Sequence, residues 1–131
     1  YVLATETASI KLSELTIGIG PFVIEPAVTR KIGVAGTAAL AISATDWQNA
    51  YWAKEKGLYA KVFASVKDLD AEVIHLSEKL ASYNPGALAE MKKVLWSGTE
   101  SWQVLLPERA AVSGALVLSD FTKKALENFK K

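Results

Sequence analysis

The sequence predicts an α/β chain in which a short β region at the N-terminus is followed by a mainly α-helical part. Three observations carry this. The only β region of any length lies near the start, in Tyr1-Val2-Leu3-Ala4-Thr5 and Ser9-Ile10-Lys11-Leu12. Two glycines and a proline between Gly18 and Pro21 then break the extended pattern. Beyond them, apolar residues recur at helical spacing, punctuated by capping residues and glycines.

The elements follow in order. Tyr1–Thr5 and Ser9–Leu12 read as short strands. A short helix is expected from about residue 22 to 32, interrupted by Pro26 and ended by Gly33. The Ala-rich run from Val34 to Ala44 should pack close to its neighbours. Thr45, with Gln48 three residues later, has the form of a capping box. It predicts a helix carrying Trp47, Ala50, Tyr51 and Trp52 that stops at Gly57. Tyr59–Phe63 reads as a short strand or an extended link. Leu69, Val73, Leu76 and Leu80 form the stripe of an amphipathic helix over 67–82. Asn84-Pro85 opens the next helix, with Asn84 as cap and Pro85 at the first turn, and Gly98 ends it. A long helix from Glu100 to Leu118 should be kinked or broken by Pro107. Ser119 caps a final helix.

Composition narrows the function classes. The chain has 131 residues, half of them hydrophobic, enough for one compact domain or part of a larger one. Fifteen basic residues against fourteen acidic give a net charge of +1, so nothing electrostatic argues for nucleic acid as a partner. With no cysteine, disulfides and thiolate metal sites are excluded; this permits the expected cytoplasmic location without demanding it. The single histidine, His75, cannot build a multi-histidine metal site. No apolar run approaches the ~20 residues that span a bilayer, and no secretory leader pattern is visible. The chain opens on Tyr1 inside a β-rich run with no lead-in. A strand needs neighbours for its backbone groups, so the run is expected to belong to a larger sheet.

One titratable residue stands out. Glu14 lies between the second strand and the Gly/Pro turn, in Lys11-Leu12-Ser13-Glu14-Leu15-Thr16-Ile17-Gly18. A carboxylate held at a strand end beside such a turn can point into a cleft, where apolar surroundings suit it to general acid–base work. On local sequence alone a solvated loop residue is the commoner outcome.

A wider pattern changes that balance. Ala4-Thr5-Glu6-Thr7-Ala8 is followed by Ser13-Glu14-Leu15-Thr16-Ile17-Gly18-Ile19-Gly20-Pro21, then by Arg30-Lys31-Ile32-Gly33 and the Ala-rich helix. Trp52 to Val62 reads W-A-x-x-x-G-L-Y-A-x-V, and Asn84-Pro85-Gly86-Ala87-Leu88 precedes a helix with Lys92-Lys93. Ser119-Asp120 and Phe129 mark the last helix. Each motif is weak singly, but together and in this order the whole chain resembles the C-terminal half of the enoyl-CoA hydratase/isomerase (crotonase) family. The bend Pro21-Phe22-Val23-Ile24-Glu25-Pro26 is nearest to bacterial methylglutaconyl-CoA hydratase-like members, although Glu25 stands where those tend to have Ser.

The resemblance implies an α/β crotonase-like (ClpP/crotonase) fold. Residues 1–63 would be the end of its core and residues 64–131 a helical trimerisation region. It implies a lyase that adds water to a trans-2-enoyl-CoA thioester. Glu14 would be one of two catalytic glutamates, and Gly20, Pro21 and Phe22 would contact the substrate, with Phe22 narrowing the acyl pocket. The other glutamate and the two oxyanion-hole N–H groups would lie upstream of Tyr1, so the chain alone should be inactive. Phe129 and Lys130 are implied contacts to a neighbouring subunit's CoA. No metal and no cofactor are implied, CoA being part of the substrate. The implied assembly is a homo-trimer or a dimer of trimers. Two alternatives remain open: an enoyl-CoA isomerase, which manages with one carboxylate, and a non-catalytic helical oligomerisation module. Glu25 is either a substitute acid or an idle exposed residue. Trp47, Trp52, Trp96 and Trp102 fit packing in a core or interface better than an acyl pocket, and His75 fits a structural or surface position.

Overall fold

The computed structural model describes residues 1–128. Strand β1 (Leu3–Thr5) runs parallel to β4 (Lys61–Phe63), with Ala4 opposite Val62. The Val2 carbonyl accepts from the Ala60 N–H at 2.8 Å, and the Phe63 carbonyl from the Glu6 N–H at 2.8 Å. Strand β2 (Ser9–Ile10) pairs antiparallel with β3 (Gln48–Asn49). The expected strands are thus trimmed at their outer ends: Tyr1 and Lys11-Leu12 find no partner among the described residues.

Between the strands lie the helices. A 3-10 turn at Glu14–Ile17 leads to α1 (Glu25–Ile42). The first turn of α1 holds Pro26, where a missing N–H costs nothing, so the proline starts this helix and does not interrupt it. Gly33 divides α1, at φ 70° and ψ 169°, a conformation that glycine alone adopts readily. The expected stop at Gly33 is therefore a sharp joint between two helical halves. In the second half Gly36, Thr37 and Leu40 are buried, while Ala35, Ala38 and Ala39 face outward, so only part of the Ala-rich run packs closely.

The next helix departs from expectation. Gln48 and Asn49 are taken up by pairing with β2, so α2 (Ala50–Glu55) cannot begin at Thr45. Asn49 is the cap, its side chain accepting from the Trp52 N–H at 2.8 Å. Ala50 and Ala53 are fully buried, which lets this short helix sit close to the strands.

The helical part completes the molecule. Helix α3 (Val66–Ser82) is capped by Ser65, whose Oγ accepts from the Asp68 N–H at 3.1 Å, and packs on β1 and β4. Helix α4 (Pro85–Trp96) opens as expected, the Asn84 side chain accepting from the Ala87 N–H at 3.1 Å. Its C-terminus is held by Arg30, which donates to the carbonyls of Leu95 (2.7 Å) and Ser97 (2.8 Å). Helix α5 (Trp102–Val117) runs through Pro107 without a break. The carbonyl deprived of its partner belongs to Gln103, an exposed residue where water can take up the bond. Helix α6 (Asp120–Asn128) starts from Ser119, whose Oγ accepts from the Thr122 N–H at 3.3 Å, and packs against the 3-10 turn.

Candidate active site

The turn that carries Glu14 is closed by its own hydrogen bonds. The Ser13 carbonyl accepts from the Thr16 N–H (3.0 Å) and hydroxyl (2.6 Å). The Leu15 carbonyl accepts from the Gly18 N–H at 3.1 Å, and the Glu14 carbonyl from the Ile19 N–H at 3.1 Å. A closed turn of this kind fixes where the glutamate side chain leaves the backbone.

Two glycines make the geometry attainable. Gly18 has φ 79°, and a Cβ there would lie 2.5 Å from Phe121 Cδ1 and 2.8 Å from Thr122 Oγ1. The first turn of α6 therefore presses directly on the back of the Glu14 turn. Thr122 is fully buried, with its hydroxyl 3.2 Å from Ser119 Oγ. At Gly20, a Cβ would fall into the Phe22 ring, so the aromatic side chain folds over bare backbone.

In front of this turn is a cleft of ≈ 290 Å³. Its walls are Glu14, residues 19–24 and, from α5, Ser113. Apart from Glu14 and Ser113 their side chains are apolar. Glu14 Oε2 is buried there without a hydrogen-bond partner. A buried acceptor left unpaired costs about 1–3 kcal/mol, so an atom in that state is unusual unless something else occupies the space beside it. Chemically, such an oxygen is placed to accept a proton from a bound water or to deliver one to an enolate-like carbon.

The four site residues expected from sequence at the turn, Glu14, Gly20, Pro21 and Phe22, all line this one cleft. Phe129 and Lys130, the two expected CoA contacts, lie outside the described residues. Glu25 is not among the cleft walls; its Oε1 accepts from Thr29 Oγ1 at 2.7 Å, tying it to its own helix. His75 is exposed on α3. None of the four tryptophans reaches the cleft. Trp47 packs under the Lys11 ammonium, 4.5 Å from its ring centre, while Trp96 and Trp102 meet edge to face at 6.2 Å. These two, with Tyr1, Arg30 and Lys31, border a second cleft of ≈ 450 Å³. Sequence reasoning missed Ser113 and the pressure of α6 on Gly18. Neither leaves a local signal, since each depends on how a distant helix returns to the turn.

Among the described residues no group of three His, Cys, Asp or Glu is placed to hold a metal ion. No helix among the described residues is long and apolar enough to cross a membrane.

Comparison with known proteins adds to this geometry. A family model described as enoyl-CoA hydratase/isomerase matches residues 1–127. A search of curated proteins found no match. Among solved structures, an enoyl-CoA hydratase/isomerase from Pseudoalteromonas atlantica T6c superposes with a TM-score of 0.87 at 21% identity, over 98% of this chain and 52% of its own. An enoyl-CoA hydratase from Bacillus halodurans gives 0.87 at 22%, over 96% and 51%. One from Mycobacterium avium gives 0.87 at 23%, over 97% and 49%. At these identities the likeness is one of fold. The chain spans about half the length of the solved structures that it matches.

Proposed function

Since this chain belongs to the enoyl-CoA hydratase/isomerase family, we propose that it supplies Glu14 as one of two carboxylates of a site that adds water to a trans-2-enoyl-CoA thioester. The observation that carries this reading is the buried, unpartnered Glu14 Oε2 in the apolar cleft formed with residues 19–24. Hydration needs a base to take a proton from water and an acid to deliver one to the α-carbon. Glu14 performs one of these steps. The second carboxylate, and the N–H groups that hold the thioester oxygen as it becomes enolate-like, come from the remaining part of the fold. Gly20 and Pro21 form the backbone floor under the acyl chain, and Phe22 narrows it. CoA enters as part of the substrate, and the helices α3 to α6 join copies of the protein into trimers.

A second reading has one observation in its favour. The described residues bring a single carboxylate to the cleft, and shifting a double bond along an acyl chain requires only one group that takes and returns a proton. The two readings separate on substrate: a hydratase consumes crotonyl-CoA, whereas an isomerase consumes a 3-enoyl-CoA and leaves crotonyl-CoA untouched.

The experiment is a crotonyl-CoA hydration assay run on this chain alone and on a polypeptide carrying the whole fold. Hydration by the second and none by the first is expected. Turnover by the chain alone, lost on Glu14→Gln, would show that the site needs no second half. No hydration by either would discard the hydratase reading.

A further inference from the structure

Ser113 is the one polar side chain of the described cleft walls that the reading above leaves without a task. It sits in the middle of α5, far from the Glu14 turn in sequence, yet lines the same cavity. Serines inside helices usually turn their hydroxyl back onto the carbonyl one turn earlier. Ser77 of this chain does so, donating to the Val73 carbonyl at 2.7 Å. Ser113 lines the cleft and makes no hydrogen bond to any described residue, so its donor and its acceptor sites are free for a group bound there.

The rest of the wall sets the chemistry of what this hydroxyl meets. Ile19, Pro21, Phe22, Val23 and Ile24 offer only hydrocarbon side chains, and Glu14 is the sole charged group among the described walls. An acyl chain ending in a carboxylate, the methylglutaconyl type included, would bring a second negative charge beside Glu14 with no lysine, arginine or histidine in those walls to balance it. A purely hydrocarbon chain would leave the Ser113 hydroxyl facing it unpaired. An uncharged oxygen on the acyl chain satisfies both conditions.

We propose that Ser113 is a specificity-determining residue that hydrogen-bonds an uncharged oxygen, hydroxyl or keto, on the acyl chain of the thioester. The proposal rests on the assignment of this cleft as the acyl-thioester site. It makes α5 a contributor of substrate contacts as well as of packing.

Binding to the chain itself tests it, without need of turnover. Three four-carbon enoyl thioesters of N-acetylcysteamine serve as probes: crotonyl, 4-hydroxycrotonyl, and fumaryl with its free carboxylate. Each is titrated into the protein while backbone amide signals are followed by NMR. The 4-hydroxycrotonyl probe is expected to bind roughly 3–10-fold tighter than crotonyl, the worth of one ordinary hydrogen bond, with fumaryl the weakest. Ser113→Ala should abolish that preference, and Ser113→Thr, which keeps the hydroxyl, should retain it. A preference that survives Ser113→Ala, or fumaryl binding tightest, overturns the proposal while leaving the cleft assignment standing. Failure of all three probes to shift the signals of residues 19–24 overturns the cleft assignment and this proposal together.

Discussion

At the scale of single residues, Glu14 and Gly18 bear on stability in opposite ways. Glu14 keeps a carboxylate oxygen buried without a partner. Replacing it with an apolar residue of similar length removes that burden, so Glu14→Met should raise the stability of the chain by about 1 kcal/mol. A thermal melt should then shift up by a few degrees, roughly 3–5 °C; a downward shift would mean that the carboxylate finds a partner in solution. Gly18 is the opposite case. Gly18→Ala places a methyl group against Phe121 and Thr122 at a left-handed backbone position, and the combined strain and overpacking should destabilise by about 2–3 kcal/mol. Urea denaturation of Gly18→Ala, with and without Phe121→Ala, checks this: the second change should recover part of the loss. Glu14 was legible in the sequence because a motif marks it. The demand on Gly18 was legible only as a turn, since the residues that crowd it lie about a hundred positions away.

At the scale of elements, most boundaries followed from local chemistry. Asn84-Pro85 and Ser119 cap the helices they were expected to cap, because side chain and backbone donor lie within one turn. The start of α2 was misplaced because β3 claims Gln48 and Asn49, and strand pairing is a non-local decision. Pro107 was expected to kink or break α5 and does not break it, since an exposed helix can give up one hydrogen bond to water. One interaction joins the strands to the helical part and can be titrated. Lys61 on β4 donates to Glu72 Oε1 on α3 at 2.5 Å. The hydrogen bond from Lys61 holds the Glu72 carboxyl below its ordinary value, and the same bond raises the Lys61 ammonium. A carboxyl whose folded pKa is lowered adds stability above its unfolded value and loses it as pH falls through the folded one. The lysine acts in the opposite sense: its contribution is present below the unfolded lysine value and is lost as pH rises through the folded one. Around neutral pH both are intact. The melting temperature should therefore fall as pH drops below about 4.5, the ordinary glutamate value. Glu72→Gln should fall less steeply over that window; superimposable profiles would show that the ion pair does not contribute.

At the scale of the whole molecule, the chain exposes more surface than its length warrants. The accessible area is 8947 Å², against about 6,700 Å² for a compact monomer of this size. Large apolar residues account for much of what is uncovered, including Val34 (75% exposed), Met91, Val94, Leu95, Val104 and Leu118. The β1–β4 pair, which no third strand joins among the described residues, is likewise short of neighbours, because parallel strands are normally covered on both faces. The crotonase-type fold explains both features, since the matched structures are about twice as long. The sequence revealed that fold through the order of its motifs. It could not show which surfaces stay uncovered, because a hydrophobic stripe looks the same whether its partner lies in the same chain or another. Sedimentation equilibrium should accordingly detect association at high concentration, with a trimer as the limiting species; a monomer throughout would remove the proposed assembly role of α3 to α6. The claim on which all else depends is chemical, that the Glu14 carboxylate moves a proton in the thioester cleft. Its most direct test is the turnover number for crotonyl-CoA hydration by the whole fold, with Glu14 intact and as Glu14→Gln. A loss of at least ~10²-fold is expected for a general acid or base. A rate within about threefold of the parent would mean that the carboxylate at position 14 takes no part in the chemistry.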